Sequence, residues 1–230
     1  MKMNLTEELK ALLLQKGAEM VGIGNMEGIS ECSYQTGVSA AIPLPVNIVR
    51  DLLHAPTKEY YDMYDTLNGR LNEIVLAGEG FLRERGYEAY AQTTDRVEID
   101  ADNRSRLPHK TVATRAGLGW IGKNGLLVTE TFGPAVRISS LLTNAPLRCD
   151  CPVVSSRCGA CLLCVRNCPA QALHGTLWEA GMEREKIVDV KQCYRKQIEI
   201  MYRETGIETD LCGKCFAVCR YTRNYLRSVS

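Results

Sequence analysis

The sequence predicts a mixed α/β (α+β) domain over residues 1–148, followed by a small cysteine-tethered domain over residues 149–230. Two observations carry that division. In the first part, hydrophobic residues alternate between the 3.6-residue period of helices and the short apolar runs of strands. In the second part, seven of the eleven cysteines crowd into two tight runs. Thr6 is placed to cap a first helix whose apolar face carries Leu9, Leu12 and Leu13 and which ends near Gly17. A strand over 19–24 follows. The apolar run 38–44 reads as a second strand closing at Pro43-Leu44-Pro45, because proline donates nothing to a ladder. A long helix over 57–85 follows from Leu67, Leu71, Ile74, Val75 and Leu82, which share one face; Gly86 stands where a left-handed residue ends it. Residues 87–93 form the next strand and 109–115 a helix. Residues 126–129 and 135–142 are two strands joined around Phe132-Gly133-Pro134.

The cysteine runs are Cys158-x2-Cys161-x2-Cys164-x3-Cys168-Pro169 and Cys212-x2-Cys215-x3-Cys219. Short links of this kind set three thiolates around one face of an iron–sulfur cubane, while the fourth cysteine before proline crosses to a second cluster. Cys193 lies between the runs and brings the thiols to eight, the number two [4Fe-4S] clusters require. The expected ligands are Cys158, Cys161, Cys164 and Cys219 for one cluster, and Cys168, Cys193, Cys212 and Cys215 for the other. The second domain is therefore ferredoxin-like, and folds with its metal. Zinc fits less well, since its structural sites close with four ligands and rarely use x2, x2, x3 spacing before proline. Disulfides fit an odd cysteine count poorly. Cys32, Cys149 and Cys151 are left without an essential metal role.

Composition narrows the partners. Twenty-eight Lys and Arg face twenty-seven Asp and Glu, with 45% hydrophobic and 24% charged residues, as in an ordinary globular protein. That balance argues against a nucleic-acid or membrane partner. The polar start Met1-Lys2-Met3-Asn4-Leu5-Thr6-Glu7-Glu8 is no signal peptide, no run reaches the length of a membrane span, and reduced thiols suit the cytoplasm. A redox partner protein or a small-molecule substrate is expected. The tail 220–227 mixes cations and aromatics, and reads as helical cover over the second cluster rather than as a nucleic-acid surface.

The segment 107–147 carries two glycine patterns that invite a nucleotide. Gly117-x-Gly119-x-x-Gly122 matches the dinucleotide fingerprint, and Gly117-x4-Gly122-Lys123 approaches a P-loop with Asn124 in place of Ser or Thr. Both need a strand before the loop and a helix after it, so that phosphate meets a helix N-terminus. Here the order is helix, loop, strand, and nucleotide binding is rejected.

Taken with the flanking residues, the same segment resembles a known family. Ala116-Gly117-Leu118-Gly119-Trp120-Ile121-Gly122-Lys123-Asn124, then Leu142-Thr143-Asn144-Ala145-Pro146-Leu147 and the double cysteine module, is similar to the core of epoxyqueuosine reductase, to which reductive dehalogenases are related. The resemblance covers roughly residues 60–220. It implies a nitroreductase-like α/β domain holding a corrinoid (cobalamin) beside the proximal cluster, with electrons passing from one cluster to the other and then to cobalt. On that pattern Asn103, Lys123, Asn124, Leu127, Arg137 and Ile138 are the expected cofactor contacts. The family's proton-donating aspartate falls on Asn103 here, and an amide cannot supply the proton. Asp100 and Asp102 are the nearest carboxylates that a shifted loop would bring in, with solvated loop positions as the plainer reading; Tyr64 is the phenol that would serve if not core packing. The chain ends soon after its second cysteine run, so the C-terminal repeat that engages tRNA in the family is expected to be missing. Two functions follow: an iron–sulfur, corrinoid-dependent reductase of a small substrate, or a non-catalytic two-cluster carrier that docks on a partner protein.

Overall fold

The computed structural model describes residues 4–228. Helices α1 (Leu5–Gln15), α2 (Val46–Asp51), α3 (Lys58–Arg83) and α4 (His109–Arg115) intersperse with strands β1 (Met20–Asn25), β2 (Thr36–Pro43) and β3 (Ala89–Ala91). Strands β4 (Trp120–Ile121), β5 (Leu127–Val128) and β6 (Val136–Thr143) follow, then helices α5 (Leu163–Arg166), α6 (Val190–Thr205), α7 (Lys214–Ala217) and α8 (Arg220–Ser228). The strands form a four-stranded sheet in the order β1-β2-β6-β3 and a separate β4-β5 hairpin. The chain packs as two compact units, each drawn from three stretches: Met1–Ile42, Thr66–Leu118 and Arg137–Val153 in one, Pro43–Asp65, Gly119–Val136 and Val154–Ser230 in the other.

The first unit is built on the sheet. β1 pairs antiparallel with β2 from Met20 opposite Ala41 to Asn25 opposite Thr36, and β3 pairs antiparallel with β6 from Ala89 opposite Thr143. Leu9 and Leu13 of α1, Leu71, Ile74 and Leu82 of α3, and Ile23 and Leu141 of the sheet are almost wholly removed from water. Each such side chain stabilises the fold by about 1.5–3 kcal/mol relative to exposure. The start of α1 differs from the expectation. Asn4, not Thr6, is the N-cap: its side chain accepts from Glu7 N at 3.1 Å while Glu7 reaches back to Asn4 N. Such a reciprocal pair needs an acid three residues after the cap. Thr6 is buried instead, its hydroxyl accepting from Arg148 N.

Glu79 is the buried charge of this unit, 5% exposed. Its carboxylate meets Arg83 and Arg96 at 3.0 Å each and accepts from Ala91 N at 3.1 Å, which fixes the short β3 against α3. That anchor explains why the strand expected over 87–93 narrows to three residues. On the other side of the sheet, β1 and α4 touch so closely that a Cβ on Gly22 would stand 2.2 Å from the Ala116 carbonyl oxygen. The chain that follows β6 is tied back by Asp150, whose carboxylate takes Lys10 Nζ at 2.7 Å and Ile23 N at 2.8 Å. The neighbours Cys149 and Cys151 are exposed.

His109 opens α4 within a buried polar chain. The one hydroxyl proton of Ser140 goes to Gln92 Oε1 at 2.8 Å, so His109 Nδ1, 2.8 Å from Ser140 Oγ, must be the donor. Burial, reinforced by the Arg137 guanidinium, pushes the imidazole down to about 4. An unfolded chain takes up this proton near pH 6.5 whereas the folded one holds out to about 4. Stability should therefore fall as pH drops through that window, by at most about 3 kcal/mol, with no contribution from His109 above it. Urea unfolding of the wild type and of His109→Gln between pH 4 and 7 checks this: the variant should show the shallower pH slope, and equal slopes would refute the assignment.

Candidate metal centre

The second unit gathers its functional side chains on very short elements. Trp120 pairs with Val128 and Ile121 with Leu127, and the turn between them is closed by Gly122 N to Leu126 O at 2.9 Å. A Cβ on Gly119 would lie 2.1 Å from the Val128 carbonyl oxygen, so only glycine lets the strands of the hairpin come together there. Asn124 Oδ1 accepts from Leu126 N and holds the turn. The hairpin thereby delivers Lys123, 5% exposed, to the loop between the first two cysteines, where Nζ donates to the Gly159 carbonyl at 2.8 Å.

A small pocket, partly open to solvent and with room for about one water, lies between this turn and the first cysteine run. Cys158, Cys161, Cys164 and Cys219 line it together with Lys123 and Arg220. Cys164 sits on α5; Cys219 closes the turn after α7, its N–H donating to Phe216 O. An apolar wall carries thiols from both runs, Cys164 among them. Cys168, Cys193 on α6 and Cys215 on α7 pack against Ala170, Ala172, Leu173 and Val188.

The electrostatic neighbours sort the eight thiols into two groups. Burial first, then the charges of Cys158, Cys219 and Cys161, push Cys164 up to about 11. Cys219 is raised by burial and by Cys158 and Cys161. Burial and then Cys168 and Cys212 push Cys193 up to about 11. Cys212 is raised chiefly by burial, with Cys168 adding to it. Cys215 is raised well above the ordinary thiol range by burial and then by Cys212 and Cys193, and it also feels Cys164 of the other group. Cys158, Cys161, Cys164 and Cys219 thus act on one another, as do Cys168, Cys193, Cys212 and Cys215, with Cys164 also acting on Cys215. Among the described residues no three His, Cys, Asp or Glu side chains close on a single metal ion. Thiolates that each hold a different iron of one cubane stand farther apart than the ligands of one ion, and an all-thiol donor set in apolar surroundings fits such a cluster.

The residues expected around a corrinoid fall in both units. In the first unit, Asp100 Oδ1 accepts from Asp102 N and Arg104 N at 2.9 Å each, so the carboxylate shapes an exposed turn. Asp102 and Asn103 are exposed in the same turn, with Asn103 at φ 56°. Arg137 donates through Nε and Nη2 to Asn68 Oδ1, and Ile138 is half-buried. In the second unit Lys123 and Asn124 are engaged as described, Leu127 is buried and Tyr64 is half-buried. Asp100, Lys123, Asn124 and Arg137 each hydrogen-bond within the protein itself. Tyr60 packs its ring edge-on to Phe216, as core.

Sequence reasoning missed the role of α8. Tyr225 donates to the Leu44 carbonyl at 3.0 Å and stacks edge-on with Phe132, while Tyr221 meets Trp120 edge-on at 5.0 Å. The helix does act as cover, but Arg220 and Tyr221 line the cavity of the first thiol group rather than the second. The signal was present in the adjacency of Arg220 to Cys219.

Eight partly buried cysteines gathered in one unit mark it as a candidate iron–sulfur centre. No family model matches the chain. The chain is homologous to epoxyqueuosine reductases and reductive dehalogenases over part of the length of those longer proteins. It is 31% identical over 164 residues to the epoxyqueuosine reductase of Lactococcus garvieae, covering 70% of this chain and 42% of that protein. It is 30% identical over 150 residues to the tetrachloroethene reductive dehalogenase of Desulfitobacterium hafniense, covering 62% of this chain and 25% of the relative. The fold is that of a reductive dehalogenase whose structure bears on B12-dependent dehalogenation, at TM-score 0.71 and 21% identity over 97% of this chain and 34% of the other. An epoxyqueuosine reductase solved with an epoxyqueuosine-modified tRNA-Tyr stem loop gives TM-score 0.63 and 19% identity over 96% of this chain and 66% of the other. Among the described residues no helix is long and apolar enough to cross a membrane.

The Gly119 contact yields a direct test. Gly119→Ala should destabilise the protein by about 1–3 kcal/mol through overpacking against the Val128 carbonyl. It should also displace Lys123 from the cysteine loop. Thermal melts and iron content after anaerobic purification should both fall, and a variant as stable and as iron-rich as the wild type would contradict the geometry.

Proposed function

We propose that this chain is an iron–sulfur redox protein that relays single electrons through two [4Fe-4S] clusters. The observation that supports the reading most is the sorting of eight half-buried or buried thiols into two neighbouring groups, with Cys215 in the field of both. Cys158, Cys161, Cys164 and Cys219 would hold one cluster, and Cys168, Cys193, Cys212 and Cys215 the other. When bound, the clusters supply reversible one-electron chemistry. The residues around them exclude water with Leu173, Val188 and Phe216 and fix the loops through Lys123 and Gly159.

What receives the electrons divides two readings. Homology to the dehalogenases favours a corrinoid-dependent reduction of a small substrate, in keeping with the B12-dependent dehalogenation attributed to one structural relative. The engagement of Asp100, Lys123 and Arg137 within the protein favours the carrier, which hands electrons to a partner protein. We adopt the relay as the function common to both and derive no step through the corrinoid.

Anaerobic reconstitution with iron and sulfide, followed by metal analysis, should give about eight irons per chain. Cys193→Ala should lower this to about four, whereas Cys32→Ala should leave it unchanged. Zinc in place of iron, or a fully folded metal-free chain, would overturn the proposal. Titration of the loaded protein with cobalamin decides the acceptor: a change in its visible spectrum supports the reductase, and its absence at stoichiometric protein supports the carrier.

A further inference from the structure

The two thiol groups differ in the fixed charge that lines them. Around Cys158, Cys161, Cys164 and Cys219 the cavity is lined by two cations, Lys123 and Arg220, and by no carboxylate. Lys123 is 5% exposed and makes no ion pair among the described residues; its ammonium meets only the Gly159 carbonyl dipole. A buried ammonium held by a dipole alone is costly unless an anion stands close by. A thiolate-ligated cluster is such an anion, and it becomes more negative on reduction. Arg220 stands at the rim, held by the Arg157 carbonyl and the Tyr221 hydroxyl, and senses Cys161 and Cys158.

Around the other four thiols no buried cation stands among the described residues, and the neighbouring carboxylates are exposed. Asp189 caps α6, accepting from Gln192 N at 2.9 Å, one turn before Cys193. Asp210 stands two residues before Cys212. Both carboxylates act on Cys193. Lys214 opposes them, acting on Cys212 while its ammonium donates to the Leu53 carbonyl.

Resting on the two-cluster reading, we propose that these fixed charges order the clusters in potential, making the cluster held by Cys158, Cys161, Cys164 and Cys219 the acceptor of the pair. An added electron is favoured beside the buried Lys123 ammonium, where Coulomb energy is least screened, and disfavoured more weakly beside the exposed Asp189 and Asp210. In each transfer one electron leaves the cluster held by Cys168, Cys193, Cys212 and Cys215 and one enters the other. No bond is made or broken and no proton moves. A low-potential one-electron reductant, dithionite in the experiment, refills the donor.

The test is a redox titration of the fully loaded chain followed by electron paramagnetic resonance, with iron content measured on every sample. Lys123→Met should move one of two signals to more negative potential and leave the other in place, and Lys123→Arg should restore it. Asp210→Asn should move the other signal, to more positive potential. Reduction with half an equivalent should populate the signal that Lys123 controls. The proposal is overturned if Lys123→Met moves neither signal, if both variants move the same one, or if half-reduction fills the signal that Asp210 controls. Should Lys123→Met fail to hold iron, Arg220→Gln at the exposed rim carries the same expectation and the same refutation. A wild-type chain that takes up no iron would instead sink the two-cluster reading itself.

Discussion

Burial of eight thiols in two groups is the constraint on which the second unit depends. Partly removed from water and set beside one another, Cys164, Cys193, Cys212, Cys215 and Cys219 resist ionisation, and Cys215 most of all. Left as neutral thiols they are weak hydrogen-bonding groups in an apolar wall, which is tolerable but does little to hold short helices such as α5 and α7 in place. Metal reverses the balance. It binds the thiolate, releases the proton and converts mutual repulsion into shared coordination, so the free energy of binding becomes free energy of folding. Elements of four residues, too short to be stable helices alone, are then fixed by the cysteines they carry.

The hairpin shows how backbone sterics serve that centre. The 2.1 Å that a Cβ on Gly119 would leave to the Val128 oxygen means the glycine acts through close approach. The same turn places an ammonium where a cysteine loop offers a carbonyl. A glycine pattern that superficially suits phosphate thus serves the close packing of the hairpin. Its N–H groups and lysine are ordered by the strands that follow, and no helix N-terminus is present to receive a phosphate, because the segment runs from α4 into β4.

Much of the fold was legible from periodicity. The long helix, the strand 38–44 and the order helix, loop, strand around Gly117–Gly122 follow from hydrophobic spacing alone, since α3 buries Leu67, Leu71, Ile74 and Leu82 as one face. The cysteine grouping was legible because ligand spacing is a local property that the cluster imposes on the chain. What escaped were contacts between residues far apart in sequence. Glu79 with Arg96, Lys10 with Asp150 and Tyr225 with Leu44 depend on tertiary placement, and nothing in the local pattern marks their partners. Asn4 was missed for a local reason: the capping box is written in Asn4 and Glu7 together, and Thr6 is only the more familiar residue type.

Proton supply, rather than electron supply, separates a reductase from a relay. Reducing a carbon–oxygen or carbon–halogen bond asks for an acid whose proton is available near neutral pH. In the first unit the groups of that kind have structural roles. Asp100 caps its own turn, and His109 gives its Nδ1 proton to Ser140 and resists a second proton down to about 4. A base held neutral in this way packs well and contributes no acid at pH 7. Moving an electron between two thiol-bound clusters requires none of this; fixed charge and short separation suffice. With Asp100 and His109 engaged in hydrogen bonds of the protein itself, a substrate reduced through this chain would need another proton donor or one drawn from solvent.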